Sequence, residues 1–290
     1  MRFLENSFRF LVKNIIFVLP LFIANLFYSY IFFFNVDIIK LEELLKNINS
    51  GNLYMVNNLN NNYRNLQEAM MVFIPELGVF KNLLIISFIL FLLIIPATYG
   101  IINRIYSDGK ASFLAFFIEM KNNCLRFLLY CLAVIIFWLF VGFIAFITLL
   151  VLGLIAGTST AAYILVSLLM FFGYIMLIFF LMNVSIMGFA VVVTDKKGPF
   201  EGISEAMTII RTYIWAMTGI TLLLAIGMSV ANFVIMFTPI KEIKEVYFIL
   251  SSILSTIFSF ILIVFNFEVY RYETDKNIKT IDQIPDASEI

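Results

Sequence analysis

Two polar segments, each of which follows a long apolar run, contain five carboxylates, and four of these could form pairs. Asp108 and Glu119 belong to the first segment, and Asp195 and Glu205 belong to the second. Two carboxylates held close together can divide the roles of acid and base in a hydrolytic reaction. An enzyme of this kind, acting on lipid, would need Asp108 to meet Asp195, or Glu119 to meet Glu205, at the cytosolic surface.

The other residue types that catalysis and metal binding usually require are scarce. The chain has no histidine, which removes the commonest metal ligand and the commonest general base. Its two cysteines, Cys124 and Cys131, lie seven residues apart on one predicted helix, too far along it for a mutual disulfide. The sequence contains no HExxH, GxSxG or phosphate-binding glycine loop. We therefore expect no catalytic site, no metal and no cofactor.

The composition places these residues in a membrane protein. Hydrophobic residues make up 62% of the 290, 34 of them are Phe, and charged residues make up 13%. A soluble domain has about 45–50% apolar and about 25% charged residues. The mean hydropathy is +1.02. The net charge is zero and no basic tract stands out, so nucleic acid is not an expected partner.

The apolar runs predict an all-α fold with six membrane-spanning helices, because each run is long enough to cross about 30 Å of hydrocarbon. A polytopic domain would cover 1–270, with an extracytoplasmic loop at 35–81 and a short cytosolic tail at 271–290. The Asn-rich loop is expected to be solvated, with partner recognition as the alternative. The predicted spans are Asn14 to Phe34, Asn82 to Ile102, Leu125 to Leu152, Thr160 to Val193, Tyr213 to Met236 and Val246 to Tyr270.

A short amphipathic helix is predicted between Thr194 and Thr212. Gly198 would cap it and Pro199 would occupy its first turn, where a missing N–H group costs nothing. Its apolar face would hold Phe200, Ile203, Met207 and Ile210, and its polar face Glu201, Glu205, Thr208 and Thr212. Acids early in the helix and Arg211 late in it match the helix dipole.

Two further segments resemble this one, Met1 to Lys13 and Asn103 to Arg126. In the second, Asp108, Lys110 and Phe113 match Asp195, Lys197 and Phe200 at a constant offset of 87 residues. The pattern predicts three units, 1–103, 104–193 and 194–270, each with a cytosolic amphipathic helix and two spans. The short helices would act as elbows that orient helix pairs, with membrane sensing as the alternative.

The basic residues predict the orientation. With the N-terminus in the cytosol, thirteen would lie inside and six outside, as the positive-inside rule favours. The inner set is Arg2, Arg9, Lys13, Arg104, Lys110, Lys121, Arg126, Lys196, Lys197, Arg211, Arg271, Lys276 and Lys279; the outer set is Lys40, Lys46, Arg64, Lys81, Lys241 and Lys244. We expect a multi-pass plasma-membrane protein with both termini in the cytoplasm.

One family resemblance rests on the order of these elements. A short amphipathic helix ending in Lys13 and Asn14, a span, and later the segment VVVTDKKGPFEGISEAMTIIRTYIWAM are similar to the glycerophosphodiester phosphodiesterase membrane-domain-like group and to YciC-type inner-membrane proteins. The most specific part is Val191 to Arg211. The resemblance implies a six-helix bacterial membrane protein of uncharacterised role. It does not imply phosphodiesterase activity, which belongs to a separate soluble barrel.

Polar residues within the spans admit two interpretations, contact with a neutral or lipidic ligand and ordinary hydrogen bonding between helices. They are Asn25, Asn183, Asn232, Asn266, Tyr28, Tyr99 and Tyr174, together with Ser251, Ser255 and Ser259 and the flanking Ser252 and Thr256. Glu268 is expected to form a structural pair with Arg271 or Arg104. The spans carry no ionisable side chain near their centres, which argues against an ion-coupled transporter.

These observations favour a non-catalytic structural, assembly or accessory membrane component. The alternative is a transport or substrate-binding module for a lipidic or uncharged solute. A transport module should gather polar groups of several helices around one cavity, whereas a scaffold should scatter them over pairwise contacts. The expected partner is the lipid bilayer, with other membrane proteins or a second copy of the chain as further candidates.

Overall fold

The computed structural model describes residues 2–35, 77–155, 160–237 and 243–274. Nearly all of these residues are helical and none lies in a strand, so the predicted all-α membrane fold is confirmed. Most of the predicted 35–81 loop and of the 271–290 tail lies outside the described residues.

The described helices follow the predicted apolar runs closely. Beyond a 3₁₀ turn at Ile15–Val18, they are α1 (Arg2–Lys13), α2 (Leu19–Asn35), α3 (Leu77–Asp108), α4 (Phe113–Ile155), α5 (Thr160–Asp195), α6 (Pro199–Thr212), α7 (Ile214–Phe237) and α8 (Lys244–Glu273). Five of them, α3, α4, α5, α7 and α8, are long and apolar enough to cross a membrane. The sixth candidate is a broken span, in which the chain bends by 90° between α1 and the helix that follows.

One predicted boundary is wrong. The segment Asn103 to Arg126 does not form a separate short helix, because α3 continues to Asp108 and α4 runs without a break from Phe113 to Ile155. At 1.5 Å per residue, the 43 residues of α4 extend over about 64 Å. That is about twice the thickness of a hydrocarbon core. The amphipathic part is thus the first few turns of a membrane-crossing helix.

The described residues form two compact units. The larger is drawn from Met1–Leu21, Leu92–Ala231 and Ile257–Ile290, and the smaller from Phe22–Phe91 and Asn232–Thr256. In the smaller unit Ile31 and Phe80 are buried against each other, and Phe27, Leu83 and Leu84 pack around them. The polar clusters considered below lie in the larger unit.

Pro96 lies inside α3, where a proline deprives the carbonyl four residues earlier of its usual donor. That carbonyl belongs to Leu92, and the thiol of Cys124 in α4 lies 3.7 Å from its oxygen, within reach of a weak S–H hydrogen bond. Both cysteines are free thiols, as their spacing predicted. The Cys124 thiol of α4 therefore contacts α3 at the carbonyl group that Pro96 leaves without a backbone hydrogen-bond donor.

The predicted 87-residue correspondence extends to the backbone. Helix α3 ends at Asp108 and α5 ends at Asp195, and the next residues, Gly109 and Lys196, both have positive φ, of 76° and 56°. Each chain reversal is then followed within four residues by the next helix. Glycine enters this left-handed region without strain, whereas lysine does so at a cost. The two turns therefore share one geometry, although α4 continues into the membrane and α6 does not.

Helix α6 packs tightly on α5. Its predicted start is confirmed, with Gly198 before Pro199 and the Glu201 carboxylate accepting a hydrogen bond from the Gly198 N–H group at 3.2 Å. A β-carbon placed on Gly202 would lie only 2.7 Å from the carbonyl oxygen of Gly188 in α5. The two helices therefore meet backbone to backbone at these glycines.

The apolar face of α6 differs in part from the predicted one. Ile203 and Ile210 are buried as expected, together with Gly202 and Ala206. Phe200 is 63% exposed because it lies on the edge of the helix away from α5. Small residues, rather than the large Phe200, make the contact with α5.

Candidate functional site

The larger unit contains a cluster of buried polar and charged side chains around Tyr106, near the ends of α3 and α8. The Tyr106 hydroxyl donates a hydrogen bond to the Glu268 carboxylate at 2.9 Å, and the Asn6 side chain of α1 also bonds to Glu268. The ring of Phe10 stacks on that of Tyr106 with centroids 5.0 Å apart. Glu268 is only 3% exposed. Helix α1 is thus fixed to α3 through Tyr106 and to α8 through Glu268.

Arg271 is bound in a different way from the one predicted. Its guanidinium lies over the Tyr106 ring at 5.6 Å and donates to Asn103 Oδ1 at 3.0 Å and to Ser107 Oγ at 3.4 Å. No ion pair joins Arg271 to a carboxylate among the described residues. The expected pairing of Glu268 with Arg271 or Arg104 is therefore wrong, because Tyr106 separates the two groups on α8 and Arg104 bonds elsewhere.

The four carboxylates considered at the outset are paired differently from either combination that a lipid-acting enzyme would need. Lys197 bridges Asp195, at 3.4 Å, and Glu205. In the other polar segment Arg104 lies 3.5 Å from Asp108 and 3.8 Å from Glu119. Each aspartate at a helix end therefore shares a cation with a glutamate of the helix that follows. Each cluster therefore combines one positive side chain with two negative ones.

Two tyrosines connect α8 to the neighbouring helices. The Tyr270 hydroxyl lies 2.7 Å from Asp195 Oδ2 and 3.4 Å from Glu205 Oε1. Tyr213, at the break between α6 and α7, donates to Glu273 Oε1 at 2.6 Å. The hydrogen bond to the Glu273 carboxylate raises the pKa of Tyr213, because the donated proton is held by a negative charge. Both contacts fix the end of α8 against the α5 to α7 segment.

A second cluster of fully buried polar side chains, the asparagine junction, joins α5, α7 and α8. Asn183 Oδ1 accepts hydrogen bonds from Thr221 Oγ1 at 3.0 Å and from Asn266 Nδ2 at 3.3 Å. Each of these three residues has no exposed surface. Asn266 Oδ1 and the nearby Thr218 hydroxyl have no hydrogen-bond partner in the described part of the chain. The junction is a closed contact of three helices.

Four more of the predicted polar residues, Asn25, Tyr28, Tyr99 and Tyr174, make contacts with other helices. In the smaller unit Asn25 donates to Thr256 Oγ1 at 3.0 Å, and Tyr28 meets the edge of Phe91. In the larger unit Tyr99 donates to the Ile186 carbonyl oxygen at 3.1 Å, and Tyr174 contacts Thr148.

The serine series in α8 behaves differently from the predicted repeat. Ser252 and Thr256 are buried, and Ser252 donates to the carbonyl oxygen of Phe248. Ser251, Ser255 and Ser259 are half-buried. Helix packing was the favoured interpretation of these hydroxyl groups. It fits the buried Ser252 and Thr256 better than the half-buried Ser251, Ser255 and Ser259.

Several residues of these clusters escaped prediction. Tyr106, Tyr270, Asn103 and Ser107 looked like ordinary residues at helix ends in the sequence. One signal was present, because Tyr106 lies two residues before Asp108 and Tyr270 lies two residues after Glu268. Among the described residues no three of His, Cys, Asp and Glu form a group that would hold a metal ion.

The larger unit also has two open grooves with nearly apolar linings. One, of about 250 Å³, lies between α4 and α5 and has Thr148 and Tyr174 in its wall. The other, of about 490 Å³, lies along α4 and is lined by Trp138 and Gly142, among others. Neither groove is lined by residues of the asparagine junction.

Searches against protein-family models, curated proteins and solved structures found no match to this chain. The resemblance to the phosphodiesterase membrane-domain-like group therefore stays a prediction that rests on Val191 to Arg211.

Proposed function

We propose that this chain is a non-catalytic structural, assembly or accessory component of a membrane. The observation that carries the proposal is the use made of polar groups in the spans. Thr221 and Asn266 both donate to Asn183 Oδ1 and none of the three has exposed surface, while Asp108, Glu119, Asp195 and Glu205 pair with Arg104 or Lys197. Polar groups engaged in this way hold helices together.

A large apolar surface on α4 and α7 is not covered by the described residues, and this favours a partner in the membrane. In α4 and in α7, only 11% of the most apolar stretch of 18 residues is buried. The corresponding buried share is 44–50% in α3, α5 and α8. Leu139 of α4 and Leu223 of α7 are 69% and 65% exposed. Such faces are suited to contact lipid, another membrane protein or a second copy of the chain.

Site-specific photo-crosslinking in native membranes tests this proposal. A photoreactive amino acid at Leu139 or Leu223 should give a discrete adduct with a recurrent membrane protein or with a second copy, identified by mass spectrometry. The same group at Val184, which is fully buried, should give only intramolecular products and serves as the control. Adducts with lipid alone at both exposed positions would contradict an accessory role.

The groove between α4 and α5 favours a second candidate, a module that binds a lipidic or uncharged solute. Tyr174 Oη lies 3.1 Å from the Ala145 carbonyl oxygen and also contacts Thr148, so hydroxyl groups are present in an otherwise apolar wall. If a lipid binds there, Tyr174→Phe should lower the amount of one lipid class that copurifies. Unchanged lipid content in that variant would exclude this groove as the binding site.

We also propose that both chain ends face the cytoplasm and that the membrane is the plasma membrane. The support is the distribution of thirteen basic residues against six. Lys196 is exposed in the turn after α5, so a cysteine there is a suitable reporter. An impermeant thiol reagent added to intact cells should label Lys196→Cys only after the membrane is permeabilised. Labelling from the outer medium would reverse the orientation.

A further inference from the structure

Helix α1 has three distinct edges, and the first is packed against the protein. Ser7, Phe10 and Leu11 are buried. Phe10 stacks on Tyr106 and lies 6.2 Å from the Phe260 ring, centroid to centroid. This edge fixes α1 to α3 and α8, so the directions in which its other residues point are defined.

The second edge is apolar and uncovered by the described residues. Phe8 is 44% exposed and Val12 is 69% exposed. The same surface continues past the bend through Ile15, Ile16 and Leu19, which are also exposed. Aqueous exposure of a continuous apolar strip is unfavourable by roughly 25 cal/mol per Å².

The third edge is charged. Arg2, Glu5 and Arg9 are exposed, and Arg9 pairs with Glu5 across one helical turn at 2.7 Å. With Lys13 counted, three basic residues and one acidic residue give α1 a net charge of +2. At 100° per residue, this edge borders the apolar edge at Glu5 and Val12.

We infer that α1 lies within the lipid–water interface of the bilayer, with Phe8 and Val12 among the acyl chains and the edge of Arg2 and Arg9 at the level of the phosphates. The 90° bend at the end of α1 turns this helix across the direction of the segment that follows. A helix in that position buries its apolar edge by about 5–10 Å in the bilayer boundary. Long basic side chains extend from there to the headgroups.

A lipid surface fits better than a protein partner because the apolar edge is continuous with the outer surface of the next helix. Ile15, Ile16 and Leu19 begin the part of the broken candidate span that follows the bend, and the exposed side of this part faces acyl chains if it crosses the membrane. Val12 stands one turn before this surface. The inference is independent of whether the chain acts as a scaffold or as a solute-binding module.

Fluorescence quenching in vesicles tests the inference on the full chain. Single cysteines at Val12 and at Arg2, in a Cys124→Ala, Cys131→Ala background, are labelled with bimane and reconstituted in phosphatidylcholine and phosphatidylglycerol. Because these positions are about 80° apart around the helix, lipids brominated near the headgroup should quench the Val12 label more strongly than the Arg2 label. Iodide in the buffer should show the reverse order.

Either of two results would overturn the inference. Little quenching of either label by brominated lipid would place α1 in water, and weak quenching of the Val12 label by both agents would indicate a protein-covered edge. Both positions are exposed, so the substitutions should not prevent folding; a Phe8→Cys label supplies a second reading of the same edge. Gel filtration of each labelled protein shows whether the fold is retained.

Discussion

Replacing Gly202 by alanine should separate α6 from α5. The new methyl group would lie 2.7 Å from the carbonyl oxygen of Gly188 and 2.7 Å from Cγ2 of Val192. The first neighbour is backbone, so it cannot move aside unless the whole helix shifts. Overpacking of this kind costs about 1–3 kcal/mol. The higher helix preference of alanine offsets about 0.5–1 kcal/mol of that cost.

A net destabilisation of about 1 kcal/mol, and at most about 2.5 kcal/mol, is therefore expected for Gly202→Ala. Gly227→Ala in α7 is the matched control, because nothing lies within 4 Å of the β-carbon that it adds. That substitution should leave stability unchanged or raise it by up to about 1 kcal/mol. Reversible unfolding in mixed detergent micelles, followed by circular dichroism, measures both differences.

A double substitution tests the neighbouring contact of α5 with α4. In Gly188→Ala the added methyl group would lie 2.4 Å from the Tyr130 hydroxyl, which donates to the Ser185 carbonyl oxygen at 2.7 Å. Removing that hydroxyl with Tyr130→Phe should restore part of the lost stability. If Gly202→Ala unfolds no more easily than the unaltered chain, the backbone-to-backbone contact of α5 and α6 is refuted.

Three further substitutions are expected to lower stability by different amounts in the same assay. Tyr106→Phe removes a hydrogen bond to the buried Glu268 carboxylate and should cost about 1.5–3 kcal/mol. Thr221→Val removes the donor to Asn183 at nearly constant volume, with an expected loss of about 0.6 kcal/mol and no more than about 1.7. Lys197→Met should cost less than about 1 kcal/mol, because this lysine is 37% exposed and its ion pairs are screened.

Each of these expectations has a control and a contrary result. Tyr272 is 54% exposed, so Tyr272→Phe should leave stability unchanged. A loss as large as that of Tyr106→Phe would show that the hydrogen bond from Tyr106 to Glu268 is not the cause of the larger effect. Ser229→Ala removes an exposed hydroxyl from α7 and is the reference for Thr221→Val. Salt should reduce the loss of stability caused by Lys197→Met. A loss larger than that of Gly202→Ala would show that the ion pairs of Lys197 stabilise the fold more than the contact of α5 with α6 does.

The sequence was sufficient to predict the helices, because a long apolar run has no stable alternative to a helix in a membrane. The start of α6 was predictable for a local reason as well, since Gly198, Pro199 and Glu201 together specify a helix N-terminus. The wrong boundary at Phe113 arose because an amphipathic pattern looks the same whether or not the helix continues.

The pairing of charged side chains was not predictable in the same way. Glu268 and Arg271 are three residues apart on α8, a spacing that favours an ion pair. Tyr106 from α3 lies between them and engages both, and this contact depends on how α3 packs against α8. Asn183 and Asn266 were likewise identified in the sequence only as polar groups within the spans. The pattern did not indicate that Asn266 donates a hydrogen bond to Asn183.

The central claim is that polar side chains within the spans join helices and do not line a path for solute. Cysteine substitutions at Asn183 and Thr221, in the Cys124→Ala, Cys131→Ala background, test it through the rate of modification by a small water-soluble thiol reagent in native membranes. Both cysteines should react far more slowly than Thr212→Cys, an exposed position at the end of α6. Modification of either buried position as fast as Thr212→Cys would contradict the account, because it would require a water-filled path through the asparagine junction.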